Sequence, residues 1–462
     1  MYNLNGRNSM KPLAAEFAGF FCKVRFDDLP EAVVDHTKKF ILDLVGVAVG
    51  GLELPFPQMT TQYLASLGGK PEATLLGSAP GEKVPGIHAA LGNGVCAHAL
   101  DMDDGYRYGG VHPSVATVPA AVVAGEIAGS DGKALILGTV LGAEIMDRLA
   151  KAMNPSHLSR GFHTTGTLGP FGATVAAGTI YGLPEDKLTR ALGLAGLQSA
   201  GLLEILHDGA MTKPIHPGKA AMAGILSAEL AEKGAQGPAT IFEGKKGFFN
   251  AMADDVSTDG LIEGLGDRFL ILDHYIKLHA ACRHVHPAID AVIRLKKDHS
   301  IDYKDIDSVH IATYPVAISF CGDENLPGSG EAAKFNLPFS AAMAAIFGDA
   351  GMDRFSLETV NDRQIQELAG RIKASTDKRW ADAYPDMRGA SVEMTTRDGK
   401  RYFMEVELAK GEPENPATLD DVMDKFRSNT SKMPKDMREA LIAVIMDLEN
   451  HTVSDLTQYF CF

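Results

Sequence analysis

The sequence predicts a mainly α-helical protein with an α+β part: a large all-helical domain plus a smaller α+β lid domain. Three observations carry that expectation. Apolar residues recur at helical spacing through roughly the first 265 positions. The texture changes near residue 268, after which strand-like alternation appears. Helical periodicity then returns from Leu419 onward. The expected division is 1–268 with 412–462 as the helical domain, and 269–411 as the smaller domain inserted between them.

Taken in order, residues 30–50 place Val33, Val34, Phe40, Ile41, Leu44, Val45 and Ala48 at helical spacing. Gly50 and Gly51 then read as a C-terminal stop. Residues 85–100 and 113–128 are more uniformly apolar, as buried helices are, with a polar, glycine-rich loop between them. Residues 132–153 form a long apolar helix that carries Glu144 and Asp147, and 166–181, 186–203 and 219–233 continue the pattern. Farther on, 308–316 (SVHIATYPV) alternates as a strand does. Residues 391–396 and 402–408 make a hairpin around Arg397, Asp398, Gly399 and Lys400, where Asp-Gly favours a tight turn. Helices are expected again at 335–347, at 361–373 and from 419.

Composition narrows the classes of function. The chain has 462 residues, 45% hydrophobic and 22% charged, which is the balance of a globular protein with two or three domains. Its 48 glycines point to closely packed helices. A net charge of −15 argues against a general nucleic-acid binder, because phosphate backbones attract basic surfaces. It leaves an acidic small substrate open, since that needs only local positive charge. The five cysteines, at 22, 96, 282, 321 and 461, include no CxxC pair, so neither a disulfide framework nor a zinc site is expected. The N-terminal MYNLNGRNSM lacks the layout of a signal peptide, and no uncharged apolar run reaches the ~20 residues of a membrane span. The expectation is a cytoplasmic protein with no membrane partner. Neither GxGxxG nor GxxxxGK[ST] stands in a suitable context, and no GxSxG elbow occurs, so no cofactor is expected.

Chemistry collects where polar residues interrupt apolar helices. HALDMDDGYRYGGVHPS, from His98 to Ser114, sets Asp101, Asp103 and Asp104 at the end of one helix and His112 at the start of the next. A carboxylate beside an imidazole raises its basicity and fixes its tautomer; helix capping is the alternative reading. RGFHTTGTLGPFGA places His163 and three threonines before a helix, where backbone N–H groups and hydroxyls suit a carboxylate, or simply cap the helix. HDGAMTKPIHPGKAA, from His207, sets Lys213 and Lys219 on either side of His216. YIKLHAACRHVHPAID offers Lys277, His279, Cys282, Arg283, His284 and His286. A cationic, carboxylate-binding wall suits that run better than a metal, because lysine and arginine oppose a bound cation. Ten of the fifteen histidines fall between His98 and His286, which suggests an anion pocket.

In these four motifs, in this order, the sequence resembles the MmgE/PrpD family over nearly its whole length, from LDLVGVAVGG at Leu42 onward. The resemblance implies a helical domain plus a smaller α+β lid, a homodimer, and a metal-independent lyase acting on a small polycarboxylate. Within the family the implied reaction is dehydration of a 2-methylcitrate-like tricarboxylic acid. Epimerisation of an iminodisuccinate-like dicarboxylate, decarboxylation of cis-aconitate and non-catalytic carboxylate binding are the alternatives. By position, Asp101, His112, His163 and Lys213 match the family's active-site residues, and Cys282 falls where animal decarboxylases have histidine. Gly105 replaces a threonine of those decarboxylases, and Phe339 replaces a tyrosine of many members, which removes one proton donor.

The roles that follow are proton transfer next to a carboxylate. Lys213 and Arg283 hold carboxylates, with Lys277 and His286 as further candidates. One of His112 and His163 takes the proton, the other protonates a leaving hydroxyl, and Asp101 orients or charges the neighbouring imidazole.

Overall fold

Small residues set how closely the helices of this protein approach one another. The computed structural model describes residues 11–207 and 210–461. The N-terminal decapeptide, Asp208 and Gly209 therefore lie outside the described residues, as does the side chain of His207. The main helices are Glu31–Gly51, Gly86–His98, Ser114–Ala128, Gly132–Met153, Thr164–Ile180, Glu185–Gly196 and Ile215–Glu232. Thr164–Ile180 packs against Ser114–Ala128, Gly132–Met153 and Ile215–Glu232, which in turn packs on Gly86–His98. At that last crossing a Cβ on Gly94 would lie 2.7 Å from the Cα of Gly218, so glycine is required on both sides. The crossing brings the C-terminal end of one helix beside the N-terminal end of the other.

The helix that begins at Glu31 ends at Gly51, at the glycine pair expected to stop it. A Cβ on Gly51 would stand 2.2 Å from the carbonyl oxygen of Cys96, so this glycine also serves close approach. The expected 186–203 helix ends at Gly196. Beyond it the chain pairs with residues 161–163 instead: the His163 N–H donates to the Gly201 carbonyl at 3.1 Å and the Leu203 N–H to Gly161 at 2.8 Å. Non-local partners outcompete helical propensity there. The helices that the sequence reading does not place include Leu13–Phe21, Pro55–Ser66 and His286–His299.

The mixed part is built on a four-stranded sheet. A separate short pair, β1 (Gly105–Tyr106) and β2 (His274–Tyr275), is antiparallel with Gly105 opposite Tyr275. The sheet proper has β3 (Ile306–Thr313), β4 (Ile372–Thr376), β5 (Ala390–Thr396) and β6 (Arg401–Val406) in the order β4-β3-β5-β6. β4 runs parallel to β3; the other pairs are antiparallel. The expected strand at 308–316 stops at Thr313 because Pro315 opens a helix, Pro315–Cys321. The expected helix at 361–373 is helical only over Arg363–Ala369 and then becomes β4. Nothing in the IKAST segment itself announces β3, some 60 residues earlier, as its partner.

One hydrophobic core joins the N-terminal helices with Val422, Phe426, Leu441, Ile445 and Leu456 of the C-terminal segment. Helix Leu419–Asn429 lies on Glu31–Gly51, where a Cβ on Gly46 would be 2.7 Å from the Phe426 ring. Burying a side chain such as Phe426 contributes about 1.5–3 kcal/mol. A second core runs from Ala280 to Val406 and takes in Val47, Leu100 and Met102 from the first part of the chain. Among the described residues no single helix is long and apolar enough to cross a membrane.

Candidate active site

The site begins where Gly86–His98 ends, in the buried segment just past the helix, whose carbonyls need donors. Three buried lysines from later in the chain supply them. Lys334 donates to the Ala99 carbonyl at 3.0 Å, Lys277 to that of Asp101 at 2.9 Å and Lys425 to that of Met102 at 2.7 Å. Cations are favoured at a helix C-terminus, and the carboxylates that follow add to the attraction. Within this loop Asp101 has φ 52°, a left-handed conformation that aspartate tolerates better than most residues. Its Oδ1 accepts from Lys277 at 2.8 Å and from Lys213 at 3.1 Å. Burial opposes ionisation of Asp101, but Lys213 and Lys277 overcome it and hold the carboxyl well below the usual range.

Four imidazoles gather next to that pair of ammoniums. Asp103, fully buried, takes His98 Nδ1 at 2.9 and 3.0 Å and His112 Nδ1 at 3.0 Å. His112 Nδ1 also lies 2.6 Å from the Asp104 carbonyl, and the His112 N–H donates to Thr165 Oγ1. The His98 ring is 5.1 Å from His112 and 5.9 Å from His163, centre to centre. His163 Nδ1 meets His216 Nδ1 at 2.9 Å, so one donates and the other accepts. Burial, reinforced by Lys213, pushes His163 well below the usual histidine range. Burial likewise lowers His98 and His216, each to about 4. His98, His163 and His216 are thus held neutral near pH 7, the state in which an imidazole accepts a proton.

The folded chain thus brings Asp101, His112, His163, Lys213 and Lys277 into one neighbourhood. The carboxylate that meets the imidazoles is Asp103, however, and not Asp101 as expected. Among the described residues no hydrogen bond joins the Asp101 carboxylate to an imidazole; its Oδ1 faces two ammoniums. Cys282 is buried nearby; a hydrogen bond from the Cys321 thiol holds the Cys282 thiol below the usual range. Arg283 and His286 are engaged elsewhere. The Arg283 guanidinium binds Glu412 at 2.9 Å and the Ala409 and Lys410 carbonyls at 3.3 Å, all in the closure of the smaller part. His286 Nδ1 accepts from the Arg283 guanidinium at 3.1 Å, and its Nε2–H donates to the Ala281 carbonyl at 3.1 Å. Lys219 caps the Gln198 and Ala200 carbonyls. The threonines expected before a helix stand in the first turn of Thr164–Ile180 and are also spent on the protein: Thr165 on His112, Thr167 on His157.

A second layer fixes the first. His274 stands between Asp104 (2.9 Å) and Asp147 (2.6 Å). Burial alone would lower it, but the two carboxylates raise it to about 10. Asp104 also accepts from the Ser114 N–H, which ties the acidic loop to the next helix. Lys425 pairs with Asp43 at 2.5 Å. None of His98, His274, Lys334 and Lys425 was singled out from the sequence as a site residue. His98 alone had a local signal, three positions before Asp101 on the last helical turn. His98, Asp101 and Asp103 bring one ligand-type atom each within 4.8 Å of one another. Asp101 Oδ1 and the Asp103 oxygens face ammoniums and imidazoles, while Asp101 Oδ2 and His98 Nε2 have no partner among the described residues; the two ammoniums on Asp101 oppose a bound cation there.

The MmgE/PrpD N-terminal domain matches residues 15–259 and the MmgE/PrpD C-terminal domain residues 279–450. The chain is 27% identical over 453 residues to a cis-aconitate decarboxylase of Mus musculus, covering 96% of this chain and 91% of that one. It is 25% identical to the Homo sapiens cis-aconitate decarboxylase (96% and 92% covered) and 24% to that of Aspergillus terreus (93% and 92%).

Proposed function

Since the chain belongs to the MmgE/PrpD family, we propose that it is a lyase that moves a proton next to a carboxylate of a small polycarboxylic acid, most specifically a dehydratase of a 2-methylcitrate-like tricarboxylic acid. The observation that carries this reading is Asp101 with two lysine ammoniums on one oxygen. Lys213 Nζ makes its one hydrogen bond among the described residues to that oxygen, so it keeps N–H donors for a substrate carboxylate beside the imidazoles, in a site where burial strengthens the attraction. A substrate carboxylate that displaces part of Asp101's claim on Lys213 or Lys277 is then held next to a base. The proton leaves carbon for an imidazole, the developing enolate charge rests on the lysine-held carboxylate, and the imidazolium so formed gives that proton to the departing hydroxyl as the C–O bond breaks and the carbanion pair forms the alkene.

A second reading, decarboxylation of cis-aconitate, is favoured by the names of the relatives. Against it stand Gly105 and Phe339, which leave this site without a hydroxyl and a phenol at those positions. The test is to offer 2-methylcitrate, citrate, cis-aconitate and iminodisuccinate in deuterated water and follow each by proton NMR. Alkene formation from a hydroxy acid supports the dehydratase. Carbon dioxide release replaces it with the decarboxylase, and solvent deuterium uptake without net conversion replaces it with an epimerase.

A further inference from the structure

The histidines of this protein divide by how many ring nitrogens they commit to the protein. His274 spends both, at 2.9 and 2.6 Å, and so does His157, on the Met252 carbonyl and Thr167. Those two are fixed by the fold at either end. His98, His112 and His163 each bind through Nδ1, and among the described residues their Nε2 atoms make no hydrogen bond. For His98 the pattern is most pronounced. The residue is 1% exposed, and its Nε2 is a buried polar atom with no partner.

We propose that His98 is a further proton acceptor of this site, its Nε2 lone pair serving the substrate while Asp103 holds the Nδ1 proton; the proposal rests on the proton-transfer reading above. The tautomer follows from Asp103. An ionised carboxylate only accepts, and both of its oxygens lie 2.9–3.0 Å from His98 Nδ1, so the ring proton is on Nδ1 and Nε2 is bare. A bare, buried acceptor with no partner costs stability. Such atoms are rare enough to need a reason, and a ligand is one. The charged and titratable groups around it come from four segments: Asp101 and Asp103 from its own loop, His112 beyond, His163 at the start of Thr164–Ile180, and Lys213. In the step proposed, the C–H bond next to the lysine-held carboxylate breaks and its electron pair stays on carbon. The proton joins Nε2, and the imidazolium so formed is matched by Asp103. Burial and Lys213 keep that imidazolium a strong acid, so it gives the proton up again to the leaving group or to carbon.

His98→Asn separates this role from a structural one. The asparagine amide replaces the Nδ1 donor to Asp103 but has nothing in place of Nε2. We expect a loss of turnover of about 100-fold or more with a melting temperature near that of the unsubstituted protein. Turnover within about threefold of the unsubstituted protein would overturn the proposal, because a positioning role is rescued by the amide. Nitrogen-15 NMR of the unsubstituted, histidine-labelled protein gives a second decision that needs no variant. A non-protonated Nε2 on His98 is expected, and an Nε2–H tautomer overturns the proposal. Failure of the parent reading looks different: the unsubstituted protein itself then leaves every acid of the panel unchanged, and the proposal is overturned with it.

Discussion

Gly105 faces Tyr275 so closely that a Cβ on residue 105 would sit 2.3 Å from the phenol oxygen. The two residues are register partners in the β1–β2 pair. Tyr275 is buried, with the Arg283 guanidinium 4.8 Å from its ring centre. The absent side chain at 105 is therefore not a vacancy: a tyrosine ring from the other side of the site fills it. Gly105→Thr is expected to destabilise the protein by about 1–3 kcal/mol through overpacking. In a Tyr275→Ala background most of that cost should vanish. Additive changes in melting temperature across the double-mutant cycle would show that the two positions do not compete for space.

Arg283 and Lys213 are expected to fail in opposite ways. Arg283→Met strips Glu412, itself 1% exposed, of its 2.9 Å partner and leaves it Arg107 at 3.4 Å. Breaking a buried pair of this kind costs roughly 3–5 kcal/mol, so thermal stability should drop while KM changes little. Lys213→Ala should instead raise KM with a smaller effect on stability. A folded Arg283→Met protein with unaltered melting and a strongly raised KM would return Arg283 to the carboxylate-binding wall.

His112→Ala and His163→Ala should each lower turnover by about 100- to 10,000-fold while remaining folded. Circular dichroism establishes the fold and the panel assay the rate. Near-normal turnover in either variant removes that histidine from proton transfer.

His274 gives the protein a stability that depends on alkaline pH. Its folded pKa, about 10, lies above the 6.5 of an ordinary histidine. The imidazolium's contribution is thus fully present below pH 6.5 and is lost as pH rises toward 10. Asp147 itself is pushed up to about 6, chiefly by burial. Geometry favours the charged imidazole all the same, since a single ring faces two carboxylates. His274→Gln should melt lower at pH 7 and lose less on going to pH 9.5 than the unsubstituted protein does. Equal slopes of melting temperature against pH would mean that His274 is not charged in the folded state.

Much of the fold was readable because it is local. Gly132–Met153 was placed to the residue, since a long apolar run with helical period has no competing interpretation. The hairpin β5–β6 was found from Asp398-Gly399, whose glycine does take the left-handed φ of 83°. Family membership was also legible, because four motifs in fixed order are a property of the chain itself. β4 was lost to helix because its partner β3 is distant, and the 186–203 helix was overextended because its last residues bond to Gly161 and His163.

What the sequence by itself determined is the set of chemical groups: acids after His98, imidazoles at three helix ends, lysines in two loops. Which of them touch was decided only by tertiary packing. Gly94 against Gly218 sets one helix end beside another, and that contact gives His98, rather than Asp101, its place among the imidazoles. The same folding gives Asp101 to two lysines and Arg283 to Glu412. A charge is assigned by whichever opposite charge lies within about 3 Å once water is excluded, and neighbours in sequence have no privileged claim on that distance.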